Sequence, residues 1–129
     1  VPTLKKYLHS VEEYNPSTKV HFSSIGEAIR LKTNYEVAVF RLVQECVNNA
    51  MKHGQATEIL VTFIWKKDHV VMSIKDNGTG FNPEESKEGS FGIIGMRERV
   101  ELLSGKMELN SAPQQGTVVL VTIPLDKKK

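Results

Sequence analysis

Apolar residues recur along the chain in two rhythms, one near 3.6 residues and one of 2. Leu4, Tyr7, Leu8 and Val11 keep the first, which predicts a short helix over residues 3–13, closed by Asn15-Pro16-Ser17. Val39, Leu42, Val43, Cys46, Val47, Ala50 and Met51 keep it longer and predict an amphipathic helix over residues 35–53. Asn34 stands where an N-cap belongs, and Gly54 where a helix closes. Lys19 to Ser23 alternates around Val20 and Phe22 and reads as a strand, with a loop from Glu27 to Asn34. Glu58–Trp65 and His69–Lys75 alternate too, and the polar Lys66-Lys67-Asp68 joins them as a hairpin. Helical spacing returns over Gly92–Leu103 and stops at Gly105. A last hairpin, Met107–Asn110 and Thr117–Ile123, turns at Pro113-Gln114-Gln115-Gly116. Helices and antiparallel pairs alternate without an internal repeat, which predicts an α+β fold: a two-layer α/β sandwich with a mixed sheet covered by helices on one face.

Composition narrows the picture only slightly. At 129 residues, 40% apolar and 25% charged, the chain is a single globular domain large enough to bury a core. Its 17 basic and 15 acidic residues leave no nucleic-acid footprint. Cys46, the only cysteine, lies on an apolar helix stripe, which suits a small hydrophobe in the reducing cytoplasm. No run reaches transmembrane length and no signal peptide opens the chain, so no membrane contact is expected of this domain. The amphipathic pattern is already under way at Val1-Pro2, as expected of a piece whose upstream part is missing.

The polar positions carry the chemistry. Glu45, Asn49, Lys52 and His53 fall at i, i+4, i+7 and i+8 and line one face of the long helix, opposite its apolar stripe. A carboxylate, an amide and two nitrogen donors suit a magnesium-bound phosphate ester, although an ordinary solvated face would also hold them. Asp76-Asn77-Gly78-Thr79-Gly80-Phe81 follows a strand pattern, and no strand resumes in the polar stretch Asn82 to Gly89. Gly89-Ser90-Phe91-Gly92-Ile93-Ile94-Gly95-Met96 then places glycines before a helix, where backbone N–H groups are free for phosphate.

In this order the three segments resemble the N, G1 and G2 boxes of the ATP-binding domain of sensor histidine kinases, within the gyrase–Hsp90–kinase–MutL superfamily. Gln44-Glu45-x-x-x-Asn49-Ala50-x-Lys52-His53, a lid of barely ten residues and Gly92-x-x-Gly95-Met96-Arg97-Glu98-Arg99 are similar to the subfamily that pairs with NarL-type response regulators. The resemblance spans nearly the whole chain and implies the Bergerat ATP-binding fold, with ATP between helices and sheet under a flexible lid. It implies Mg²⁺-ATP as cofactor. It further implies transfer of the γ-phosphoryl group to a histidine on a separate dimerisation domain of the same kinase, then to an aspartate of a NarL/LuxR-type regulator. Asn49 matches the magnesium ligand. Glu45 would hold a magnesium-bound water or help deprotonate the accepting histidine. Lys52 and His53 would face the phosphates, His53 serving equally well as a helix-terminal imidazole that complements the dipole. Asp76 would accept from the adenine amino group, with Gly78 bringing backbone and water to the ring. Gly80 reads as a hinge of the lid. Gly92, Ile93, Ile94, Gly95 and Met96 would turn N–H groups to the phosphates, while Arg97 and Arg99 are helix arginines of the solvated or paired kind. Thr117 would back Asp76 through hydrogen bonds, or stand simply as a β-branched strand residue.

The chain departs from the wider kinase pattern in lacking a Phe-rich F box and a recognisable phosphoacceptor helix, since His9 and His21 lie outside the boxes. It is therefore expected to bind ATP without labelling itself, and to be monomeric where its parent is a homodimer. The alternative reading is a serine kinase of the anti-sigma-factor type, or another nucleotide-binding module of the same fold.

Overall fold

The computed structural model describes residues 2–29, 31–52, 55–80, 93–112 and 114–125. Three helices and five strands follow the order α1 (Pro2–Tyr14), β1 (Lys19–Ile25), α2 (Thr33–Lys52), β2 (Glu58–Trp65), β3 (His69–Asp76), α3 (Ile93–Leu102), β4 (Lys106–Ser111) and β5 (Thr117–Pro124). The strands form one sheet in the order β1-β2-β3-β5-β4. Parallel strands need a crossover, and α2 is the crossover between the parallel pair β1 and β2. The other neighbours are antiparallel, joined by hairpins at 66–68 and 112–116 or, for β3 and β5, by the excursion that carries α3. The sheet is mixed, as the alternation predicts.

Strand periodicity decides which face is covered. Ile59, Val61, Phe63 and Trp65 of β2 are buried, and their cross-strand partners are Asp76, Ile74, Met72 and Val70 of β3. Val119, Val121 and Ile123 continue these rows onto β5. Against this inner face lie Leu4, Leu8 and Val11 of α1, the apolar stripe of α2, and Met96 and Val100 of α3. Edge-on ring contacts lock the layers: Tyr7 of α1 on Phe40 of α2, and Phe22 on Phe63 across β1 and β2. Each fully buried apolar side chain of this core, Leu42 or Phe63 for example, contributes roughly 1.5–3 kcal/mol.

Two element ends differ from the expectation by two residues, where the others differ by one at most. β1 runs on to Ile25 because Ser24 and Ile25 pair with Phe63 and Ile64, and the indole Nε1 of Trp65 donates to Ser24 Oγ at 3.0 Å. Such a partner 41 residues away cannot be seen in local polarity. α2 opens earlier as well. The Lys32 carbonyl accepts from the Glu36 N–H at 2.9 Å, so Asn34 sits inside the first turn and is not the N-cap. The expected closure at Gly54 lies outside the described residues.

The end of the sheet near Asp76 is held by close backbone approach. Gly116 has φ 76°, and a Cβ there would collide with the Asp76 carbonyl oxygen. Gly80 has φ 70°, and a Cβ there would run into the carbonyls of Ala112 and Gly116. Gly116→Ala is expected to destabilise the fold by about 2 kcal/mol or more, through left-handed strain and displaced backbone. Urea unfolding should give a lower midpoint at unchanged slope, and an unaltered midpoint would mean the loop yields freely.

Candidate functional site

The inner face of the sheet does not stay apolar to its end. Buried Val70, Met72 and Ile74 point the same way as Asp76, because strand residues two apart share a face. Across the sheet, Asp76 pairs with Ile59 on one side and Thr117 on the other, and Thr117 pairs in turn with Ser111. The last cross-strand row of the core therefore ends in a carboxylate and two hydroxyls.

Asp76 is half-buried and takes a hydrogen bond at 2.8 Å from the backbone N–H of Gly78. Desolvation raises its pKa above the ordinary carboxylate value, while the N–H groups of Gly78 and Thr117 pull the other way. Thr117 thus supports Asp76 through its backbone N–H, whereas its hydroxyl lies 2.8 Å from Ser111 Oγ. Asn77, to which the sequence reading gave no separate role, clamps the strand end. Its Oδ1 accepts from the N–H groups of Thr57 and Glu58, both at 2.9 Å, and its Nδ2 donates to Thr57 Oγ1 at 3.0 Å. On the far side, the Thr79 carbonyl accepts from the Gln114 N–H. With Gly80 packed beneath 112–116, this makes residues 77–80 a fastened segment. At Gly80, where a hinge is expected, the positive φ brings the backbone into close packing against two carbonyls.

On α2, Glu45 and Asn49 are half-buried one turn apart and Lys52 is exposed. Between them Cys46 faces the core, its Sγ 3.8 Å from Met96 Sδ. Burial pushes the Cys46 thiol up to about 12, and the Glu45 and Asp76 carboxylates add to the rise. The thiol is inert at neutral pH, a small hydrophobe as expected. That one thiol feels both carboxylates puts the polar face of α2 and the end of β3 around the same corner of the core.

α3 packs against α2 and opens beside this corner. It carries no acidic residue in its first turn, which leaves the positive end of its dipole uncompensated. Ile93, Ile94 and Gly95 are its first three residues, whose N–H groups have no partner within the helix. Met96 is different. Its side chain is 1% exposed in the core, and its N–H stands where the first intrahelical bond is made. Gly95 has open space where a Cβ would be, so packing does not demand glycine there. Arg97 is paired, donating to the Met107 carbonyl at 3.2 Å. His53 and Gly92 lie outside the described residues, as does the lid expected over 82–90.

Among the described residues no three His, Cys, Asp or Glu side chains come together to hold a metal. An open groove of about 960 Å³ lies along the other half of α2, lined by Ile29, Leu31, Val37, Phe40, Phe63 and Trp65 among others. It contains none of the expected site residues. The groove and the polar corner are therefore separate features of the surface.

Residues 34–127 match the family of histidine kinase-, DNA gyrase B- and HSP90-like ATPases, and the chain belongs to that family. It is 49% identical over 130 residues to the signal transduction histidine-protein kinase/phosphatase DegS of Bacillus subtilis, an alignment covering 97% of this chain and 34% of DegS. The chain spans about a third of the length of the curated relatives it matches. Among solved structures, the ATP binding domain of PrrB from Mycobacterium tuberculosis aligns with TM-score 0.72 at 20% identity, over 96% of this chain and 92% of that one. A blue-light activated histidine kinase of Erythrobacter litoralis aligns with TM-score 0.76 at 19% identity, over 97% of this chain and 41% of that one. At such identities the structures speak for the fold alone, and that fold is the expected α+β sandwich.

The raised Asp76 pKa has a defined consequence for stability. A carboxyl that binds its proton more tightly when folded stabilises fully below its unfolded value of 3.8, and loses that contribution as pH rises through the folded value. Asp76→Asn should therefore melt no lower than the parent at neutral pH, with the advantage shrinking as pH falls toward about 4. Melting curves across this range check it. A variant that melts lower at neutral pH and not in acid would reverse the sign.

Proposed function

We propose that this domain binds Mg²⁺-ATP and donates the γ-phosphoryl group to a histidine on a separate dimerisation domain of the same kinase, for relay to an aspartate of a NarL/LuxR-type response regulator. The observation that carries the reading is the end of the inner face. There a half-buried carboxylate, held by Gly78 and the Asn77 clamp, shares a corner of the core with the Glu45–Asn49 face and the opening of α3. Family membership and the likeness to a histidine kinase/phosphatase support it.

Each part has a task its chemistry suits. Asp76 accepts from the exocyclic amino group of adenine. A guanine would turn a carbonyl oxygen to the same carboxylate, and two acceptors facing each other repel. The N–H groups of Ile93, Ile94 and Gly95 take phosphate oxygens at the positive end of α3, and Lys52 supplies mobile charge from α2. Asn49 and Glu45 offer two oxygen donors one turn apart. That is too few for an all-protein cage but fits Mg²⁺, which completes its shell with phosphate oxygens and water. When bound, the ion neutralises charge on the transferring phosphoryl group. Glu45 also stands to draw the proton from the accepting imidazole. Such a domain works in the cytoplasm, as a monomer when separate from its dimerising partner, without nucleic acid or membrane contact. Among the described residues no helix is long and apolar enough to cross a membrane.

Calorimetry with ATP and GTP, with and without Mg²⁺, tests the proposal. ATP should bind, GTP should bind far more weakly, and Asp76→Asn should lose about 1.5–3 kcal/mol of ATP affinity, roughly 10- to 150-fold. Asn49→Ala should abolish the gain in affinity that Mg²⁺ confers. Equal affinity for the two nucleotides, or an indifferent Asp76→Asn, would refute the base-reading role.

Gly95 supplies a separate check. Replacing a helical glycine by alanine adds about 0.5–1 kcal/mol of stability where nothing clashes. Gly95→Ala should raise the melting temperature while weakening ATP, because its methyl group fills the space phosphate would approach through. A variant that is stabilised and binds ATP as before would remove the first turn of α3 from the site.

A further inference from the structure

The polar row that ends the inner face has a member with no role so far. Ser111 is the last residue of β4, half-buried, and the register partner of Thr117. Its Oγ lies 3.0 Å from the Gly116 carbonyl oxygen and 2.8 Å from Thr117 Oγ1. A carbonyl oxygen only accepts, and a serine hydroxyl carries one proton. With that proton given to Gly116, the Ser111 oxygen must accept from Thr117. The Thr117 proton is then turned toward β4, and toward Asp76 its oxygen offers lone pairs only. A threonine beside a carboxylate would otherwise donate to it, since charge-assisted hydrogen bonds are the stronger ones. Ser111 withdraws that donor. The cross-strand neighbours Asp76 and Thr117, side by side on one face of the sheet, are left as two acceptors.

We infer that Ser111 is a positioning residue for nucleobase selection: by holding the Thr117 hydroxyl as an acceptor, it makes the Asp76–Thr117 pair read an amino group and refuse a carbonyl. The inference rests on the nucleotide reading above. Ser111 need not touch the base, and it acts through Thr117. A merely structural Ser111, tying β4 to Gly116, would support every nucleotide alike.

Two measurements separate these roles. ATP and inosine triphosphate differ at position 6, amino against carbonyl, and at N1, acceptor against N–H donor, so the change in their affinity ratio on altering Ser111 reads the hydrogen-bonding state of the acceptor pair. Ser111→Ala should lower the ATP-to-ITP ratio by about 2- to 12-fold, the range set by the net worth of one hydrogen bond. Ser111→Thr should restore it. In a Thr117→Val background, Ser111→Ala should leave the ratio unchanged. The second measurement needs no nucleotide. NMR titration of the Asp76 carboxyl should give a lower midpoint in Ser111→Ala than in the parent, because the released Thr117 hydroxyl now donates to the charged form. An unmoved midpoint, or equal losses for ATP and ITP while the parent keeps its preference for ATP, would overturn the role of Ser111 alone. A parent that binds neither nucleotide would overturn the nucleotide reading together with this inference.

Discussion

The arrangement of the domain depends on one carboxylate being kept at the boundary of an apolar layer. Asp76 continues the row of Val70, Met72 and Ile74, so the same alternation that builds the core delivers a charge to its edge. Leaving it there costs desolvation, seen in its raised pKa. The surroundings offset part of that cost: a hydrogen bond from Gly78, the N–H of Thr117, and a backbone pinned on one side by Asn77 and on the other by Gly116 and Gly80. The group is held in place by these contacts and only partly solvated.

α2 shows how one helix serves packing and chemistry together. Its apolar stripe, with Leu42, Val43 and Val47 almost wholly buried, anchors it to the sheet and leaves it no freedom to rotate. Glu45 and Asn49 thereby take fixed places one turn apart on its half-buried flank. Cys46 and Met96, in contact at 3.8 Å, join the two helices directly behind the polar corner. A change in their packing would move the polar face and the opening of α3 together. The two buried sulfur side chains therefore bear on the site without belonging to it.

The groove along the first half of α2 stands apart from this chemistry. It is apolar and roomy, and it has no counterpart to the hydrogen-bonded row at the other end of the sheet.

Periodicity alone determined the number and type of elements, the mixed two-layer fold and the identity of the polar segments, because burial imposes a period of 2 on strands and 3.6 on helices. The grouping of Glu45 and Asn49 on one helix face and the place of Asp76 at a strand end were also legible, since residue type and spacing are local properties. What only the tertiary structure decided involves partners distant in sequence. Trp65 lengthens β1 through Ser24, Lys32 displaces Asn34 from the cap, and Asn77 clamps onto Thr57 and Glu58. Gly80 proved to be a packing glycine, because Ala112 and Gly116 lie against it, and Met96 a core residue, because Cys46 faces it. Ser111 carried no signal at all in the chain, where it is one serine in a polar strand. Its meaning comes from register, which sets it beside Thr117 and Thr117 beside Asp76, and register is a long-range property that local pattern does not encode.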